Sequence, residues 1–326
     1  MGARGYVSMA LLALQFGLQP ILYKEFASRA KHSSVVVIAC ECCKLVVAAL
    51  VLVISGHAAR LWKTWHLRGS LVASGLPACT YAVQNVLVQI AYQNLPPIVF
   101  NLVNQTKLLW TALFVYMLLG KRFSSQQCLA MLLLLSAAVL LSLAKDPSAD
   151  SLPSSNHRPT SFQFGLMPVL LASILSGFGA AMTQRTMQQQ QRHTALVTME
   201  LAVYGSVFLV ASQAYSRSST PSLLLSLTSL DHFVMLFEGW DQLTWIPILA
   251  NAMGGLLVGA VTKFVGGVLK SFALVCGIAF TAVVESFLYG NALPVEVWVA
   301  AALVTLSMFI YNAFPYTEDE KLKKGY

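Results

Sequence analysis

The chain is a succession of apolar runs, each about twenty residues long, separated by short polar breaks. Ten runs can be marked, at roughly 5–25, 34–56, 70–92, 97–119, 125–144, 162–183, 194–215, 244–263, 267–289 and 295–314. A helix needs ~20 mostly apolar residues to cross a bilayer. Lipid offers backbone amides no partner, so each run predicts a spanning α-helix. The alternating segments of a membrane β-barrel are absent. Two breaks are long. Residues 146–161 (DPSADSLPSSNHRPTS) are rich in Pro and Ser and fall between the fifth and sixth runs. They divide the chain into a first five-helix repeat (1–145), a linker loop (146–161), a second five-helix repeat (162–314) and a tail (315–326). The other break, 216–243, contains LLLSLTSLDHFVMLF, apolar enough to lie on the membrane surface or over the helix ends.

Five helices per half make the two halves enter the bilayer from opposite sides. That is the inverted-repeat plan of many secondary transporters, whose substrate site lies near the midplane. A faint internal echo agrees with it: Thr111-Ala112 and Gly120 recur at the same spacing as Thr281-Ala282 and Gly290. The expected fold is therefore all-α and integral to the membrane, with ten spanning helices in two inverted five-helix repeats.

Composition supports the membrane. Of 326 residues, 57% are hydrophobic and only 10% charged, with a mean hydropathy of +0.67. Soluble domains carry ~25% charged residues. A net charge of +8 suggests nucleic acid only in a soluble protein. Here the basic residues read as cytosolic loop charges, and no nucleic-acid partner is expected. Twelve lysines and arginines fall on one side, among them Arg60, Lys63, Arg68, Lys121, Arg122, Arg185, Arg192 and Lys263, and six on the other. The bias places both termini in the cytosol. The first run leads straight into a span without a small-residue cleavage site, so no cleavable signal is expected. The six cysteines lie in apolar runs without metal-ligand spacing and read as small buried hydrophobes. No enzyme motif, metal site or cofactor box stands out.

Three lysines are left inside spans: Lys44, Lys107 and Lys270, with Glu41, Glu200 and Glu285 as the in-span acids. A charge at membrane depth costs at least ~2.5–3.5 kcal/mol on insertion scales, so it is normally there to meet something. Lys44 stands three residues from Glu41, on one helix face. An internal salt bridge and a ligand-facing role are both open for it. Tyr81, Gln84 and Asn85 form one polar stripe, and Asn101, Asn104 and Gln105 add amides beside Lys107. Interhelical amide glue, worth ~0.6 kcal/mol per contact, accounts for part of this set. Lysine is a point charge suited to phosphate, while tyrosine and amides suit a planar base. A phosphorylated, base-containing solute fits best. Glycines at 177, 179, 254, 255, 259, 266 and 267 mark close helix approaches, and Gly266-Gly267 reads as a tight turn or a hinge.

These residues sit in blocks that resemble the Golgi nucleotide-sugar transporters, the branch carrying CMP-sialic acid, UDP-galactose and UDP-N-acetylglucosamine. The blocks are ECCKLVV (41–47), PACTYAVQNVL (77–87), VFNLVNQTKLLWTALFVYMLLGKRFS (99–124), ILSGFGAA (174–181) and GGLLVGAVTKFVGGVLKSFA (254–273). The resemblance implies ten helices in the drug/metabolite transporter fold. It also implies exchange of a cytosolic nucleotide sugar for lumenal nucleoside monophosphate, and no enzyme activity. It implies that Lys44, Tyr81, Gln84, Asn85, Lys107 and Lys270 line the nucleotide site and that Tyr204 helps hold the base; Asn101, Asn104, Ser176 and Glu200 complete the candidate substrate site. Departures fall at the base-recognition end. The helix-seven block close to R-N-I-Q-x-Y is here Met199 to Tyr204 with Glu200 inside it. The aromatic-Glu-Lys triplet is Thr183-Gln184-Arg185, and the usual Asp-Asn is Gly266-Gly267. Glu200 is expected to accept from a base amino group or to balance a lysine. Lys323 and Lys324, third and fourth from the carboxyl end, resemble a dilysine retrieval signal read by coat protein. The expected residence is a Golgi or endoplasmic reticulum membrane, with lipid around the spans. A same-fold carrier of another phosphorylated or small metabolite, or a non-transporting receptor, are the rival readings.

Overall fold

The computed structural model describes residues 2–31, 33–95, 97–143, 165–215, 237–290 and 292–316. The linker 146–161, the break at 216–236 and the tail lysines Lys323 and Lys324 lie outside them. Every regular element among the described residues is helical. They are α1 (Ala3–Phe26), α2 (Ser33–Ile54), α3 (Ala58–Thr64), α4 (Leu67–Ser70), a π turn (Leu71–Gly75), α5 (Leu76–Asn94), α6 (Pro97–Gln105) and α7 (Lys107–Leu119). There follow α8 (Ser125–Leu143), α9 (Met167–Gln188), α10 (Thr194–Tyr215), a 3₁₀ turn (Gln242–Thr244), α11 (Trp245–Phe264), α12 (Gly267–Tyr289) and α13 (Val295–Ala313). Among the described residues, 9 helices or helix runs are long and apolar enough to cross a membrane. In α10 the apolar part that qualifies is the shorter stretch Thr194–Phe208.

The helices end where local chemistry ends them. Gly120 and Gly290 adopt left-handed φ of 68° and close α7 and α12, a conformation that costs a side-chain-bearing residue more than glycine. The fourth span is broken by a single residue. Thr106 turns its hydroxyl back onto the Val103 carbonyl at 2.6 Å, and its own N–H bonds the same carbonyl at 3.1 Å. Lys107 thus becomes the first residue of α7. Gly266, at φ 95°, makes a tight turn before α12, and the Gly267 N–H donates to Gln184 Oε1 at 2.8 Å. That contact substitutes for a capping side chain at α12, because neither glycine can supply one.

Packing is pairwise. α1 lies on α11 and α12, α9 on α5 and α7, α2 on α10, and α8 on α13. Glycine lets two of these contacts close. A Cβ on Gly177 would stand 2.7 Å from the Thr111 nitrogen, and one on Gly17 would stand 2.6 Å from the Gly277 carbonyl. The largest buried cluster joins α1, α7, α8, α11, α12 and α13 around Leu12, Leu134 and Phe272. Large apolar side chains such as Ile54 and Phe287 point outward, as they do on a lipid-facing surface. One end of the bundle gathers the turns at 55–66, 120–124, 189–193 and 265–266. Lys121 Nζ donates to Gln188 Oε1 at 2.6 Å, and Gln188 Nε2 to the Lys263 carbonyl at 3.0 Å. At the opposite end Lys31 pairs with Glu238 at 2.9 Å.

Candidate functional site

The break at Thr106 puts Lys107 on the first turn of α7, where the helix dipole favours an anion. Lys270 stands on the first turn of α12, and the two lysines lie within charge-interaction range of each other. Neither side chain has a hydrogen bond or ion pair among the described residues. Like charges repel, and the repulsion strengthens as water is excluded. A cavity of about 60 Å³ opens beside Lys107, Gln105 and Ser271. That is far below the ~300–1,000 Å³ of an ordinary small-molecule site.

Lys44 is differently placed. Its ammonium donates to Glu41 Oε1 at 2.8 Å, and both side chains are about one-fifth exposed. Its stem runs along α11, where a Cβ on Gly255 would stand 3.3 Å from Lys44 Cδ and Cε. No described contact joins Lys44 to Lys107 or Lys270.

Tyr81 lies across α9, its ring 3.1 Å from the position of a Gly179 Cβ and its hydroxyl facing Thr183. Gln84 is half-buried and Asn85 exposed, one turn along the same helix. Asn101, Asn104 and Ser176 are half-buried. None of these five polar side chains has a hydrogen-bond partner among the described residues. An amide stripe with its hydrogen-bonding capacity unspent is ready to receive a polar ligand.

Glu200 is spent. It is 6% exposed and takes four donors. Arg192 grips both oxygens at 3.0 Å each, Ser74 Oγ donates to Oε2 at 2.5 Å, and Trp65 Nε1 donates to Oε1 at 2.9 Å. The cation that Glu200 balances is Arg192, an arginine from the preceding turn and not the expected in-span lysine. Tyr204 shares a hydrogen bond of 2.9 Å with Ser70. The residues that complete this cluster, Trp65, Ser70, Ser74 and Arg192, carry no sequence signal of their own. Arg192 counts as one more loop charge until the fold brings it back onto Glu200.

A sequence profile of the family described as "Nucleotide-sugar transporter" matches residues 5–312. The chain belongs to the nucleotide-sugar transporter family. The UDP-N-acetylglucosamine transporter ROCK1 of Arabidopsis thaliana is 35% identical over 99% of this chain and 96% of its own. The UDP-N-acetylglucosamine transporter of Rattus norvegicus is 30% identical, over 74% of this chain and 70% of its own. The UDP-galactose translocator of Bos taurus is 25% identical over 73% of this chain and 57% of its own. A crystal structure of a protein shares the fold with a TM-score of 0.67 at 12% identity, covering 96% of this chain and 98% of the other. In this nucleotide-sugar transporter the polar side chains without partners coincide with the blocks through which the sequence resembles the family.

Proposed function

We propose that this nucleotide-sugar transporter is an antiporter that moves a UDP-sugar, UDP-N-acetylglucosamine foremost, from cytosol to lumen. It returns UMP by alternating access. The observation that carries the reading is the pair Lys107 and Lys270, two cations at membrane depth without a counter-ion among the described residues. A diphosphate or monophosphate supplies the missing charge. Lys44 joins them by releasing Glu41, and the amides and hydroxyls of Tyr81, Gln84, Asn85, Asn101, Asn104, Ser176 and Tyr204 hold base and ribose. UDP-N-acetylglucosamine is favoured because the relative matched over almost the whole chain is named for it.

Alternating access here uses two inverted five-helix repeats as the moving parts. The exchange of packing partners supports it: α1 meets α11 and α12 as α9 meets α5 and α7. Gly17 presses on Phe280 and Gly277, while Gly177 presses on Trp110 and Thr111. Gly120 and Gly290 close the equivalent helices α7 and α12 with nearly the same backbone angles. In this reading the basic turns at 55–66, 120–124 and 189–193 face the cytosol together with both termini, in a Golgi or endoplasmic reticulum membrane, as the excess of lysine and arginine on that side supports. Lys323 and Lys324 then offer a cytosolic coat-protein signal. Purified protein in vesicles preloaded with UMP should accumulate labelled UDP-N-acetylglucosamine faster than UDP-galactose. Faster uptake of UDP-galactose overturns the choice of sugar.

A further inference from the structure

The π turn Leu71–Gly75 lies inside the third spanning segment, and the Leu76 N–H reaches back five residues to the Leu71 carbonyl. Such a turn winds in one residue more than an α turn. At 3.6 residues per turn that residue is worth ~100° of rotation. The face presented by everything beyond it, including Tyr81, Gln84 and Asn85, is set by that extra residue. Single π turns are rare and cluster at functional sites, and this one is held from outside at the Ser74 hydroxyl and the Ala73 carbonyl. Ser74 Oγ donates to Glu200 at 2.5 Å, and Thr186 Oγ1 donates to the Ala73 carbonyl at 3.1 Å. Ser70 bonds Tyr204 at 2.9 Å just before the turn, and a Cβ on Gly75 would lie 3.7 Å from the Tyr204 ring. The helices that hold it, α9 and α10, belong to the other half of the chain.

We infer that Glu200 is a positioning residue for nucleotide recognition. Through Ser74 it holds the π turn, and the turn fixes which face of the α5 stripe meets the ligand. Its own carboxylate does not touch the base. A carboxylate has about four lone-pair sites, and Arg192, Ser74 and Trp65 fill them. A base amino group could bind only by displacing one of these donors and leaving it buried and unsatisfied, which costs ~1–3 kcal/mol. The inference rests on the reading of Tyr81, Gln84 and Asn85 as nucleotide contacts.

Two readouts test it, one of them free of ligand. Single cysteines placed at each position from 81 to 90, in a background with the native cysteines replaced, are labelled with a water-soluble thiol reagent. With Glu200 present, labelling follows the stripe at 81, 84 and 85. In Glu200→Ala, and in the milder Ser74→Ala, the labelled positions move along the helix by one residue. Ser74→Ala removes a single hydrogen bond and carries the test if Glu200→Ala does not fold. An unchanged labelling pattern in the folded variants overturns the inference. Inhibition of transport by UMP and CMP gives the second readout. Both variants should weaken the two nucleotides together by about tenfold, the scale of one misplaced hydrogen bond, with their ratio unchanged. A ratio altered in Glu200→Ala alone, with Ser74→Ala behaving as wild type, means direct base contact and overturns it too. If wild type binds neither nucleotide, the substrate reading fails, while the labelling pattern still decides the register claim.

Discussion

Two sets of charges lie within the bundle, and they are treated in opposite ways. Lys107 and Lys270, on the first turns of α7 and α12, have no counter-ion among the described residues, while Glu200 and Arg192 are bound to each other and then to Ser74 and Trp65. Both arrangements carry a desolvation cost. In the second the protein itself returns the lost solvation, so the group serves as a strut. In the first no described residue returns it, and this is the place we propose for the phosphate of a ligand. Lys44 falls between, since Glu41 neutralises it at 2.8 Å with both side chains still partly open. Counting the described partners of each in-span charge therefore separates the proposed substrate site from the scaffold.

The largest effect expected from breaking this contrast is at Lys107. Lys107→Ala should lower exchange by about 100-fold, because a charge-assisted bond to phosphate is worth ~1.5–3 kcal/mol. Its thermal stability should hold or rise, since one of two repelling charges is gone. Lower stability with normal exchange would reverse the assignment of strut and site. The matching change on the other side is Arg192→Ala, which leaves Glu200 buried and unpaired. Loss of one partner of a buried ion pair costs ~3–5 kcal/mol, visible as a large fall in melting temperature, and changing Glu200 as well should recover part of it.

Smaller effects sharpen the packing side. Gly177→Ala should lose ~1–3 kcal/mol through overpacking against Trp110 and Thr111. Gly205→Ala, with nothing within 4 Å of the added carbon, should be near neutral in the same melting experiment. The smallest effect concerns His193, whose ring lies 5.1 Å from that of His57 and whose Nδ1 is buried without a partner among the described residues. Burial first, then the neighbouring His57 and the Lys263 charge, hold its pKa below the ordinary imidazole value. The unfolded chain then takes up the proton more readily as pH falls through about 6.5, so stability drops on acidification. His193→Gln should flatten that drop in a melting series across the same range.

Much of this was legible in the sequence because the bilayer forces long apolar runs. Helices α2, α8, α10, α11, α12 and α13 start and stop within about two residues of the apolar limits. Lys107 and Lys270 emerge from charge counting alone, because so few charges lie between the loops. The π turn at Leu71–Gly75 was invisible: its five residues, LVASG, are all ordinary in a spanning α-helix. The break at Thr106 was equally hidden, since Thr is ordinary inside a spanning helix. Glu200 stood out as an in-span acid, but its partner Arg192 lies beyond a turn and looks like a loop charge. Gly266-Gly267 read as either turn or hinge, and the Gln184 contact that makes it a capped turn comes from another helix.

The most direct measurement is trans-stimulated exchange. Purified protein is placed in vesicles loaded with UMP or left empty, and uptake of labelled UDP-N-acetylglucosamine is followed with wild type and Lys107→Ala. Uptake driven by internal UMP in wild type and abolished in the variant is the predicted result. Uptake that is equal in loaded and empty vesicles, or unaffected by the loss of Lys107, would contradict it.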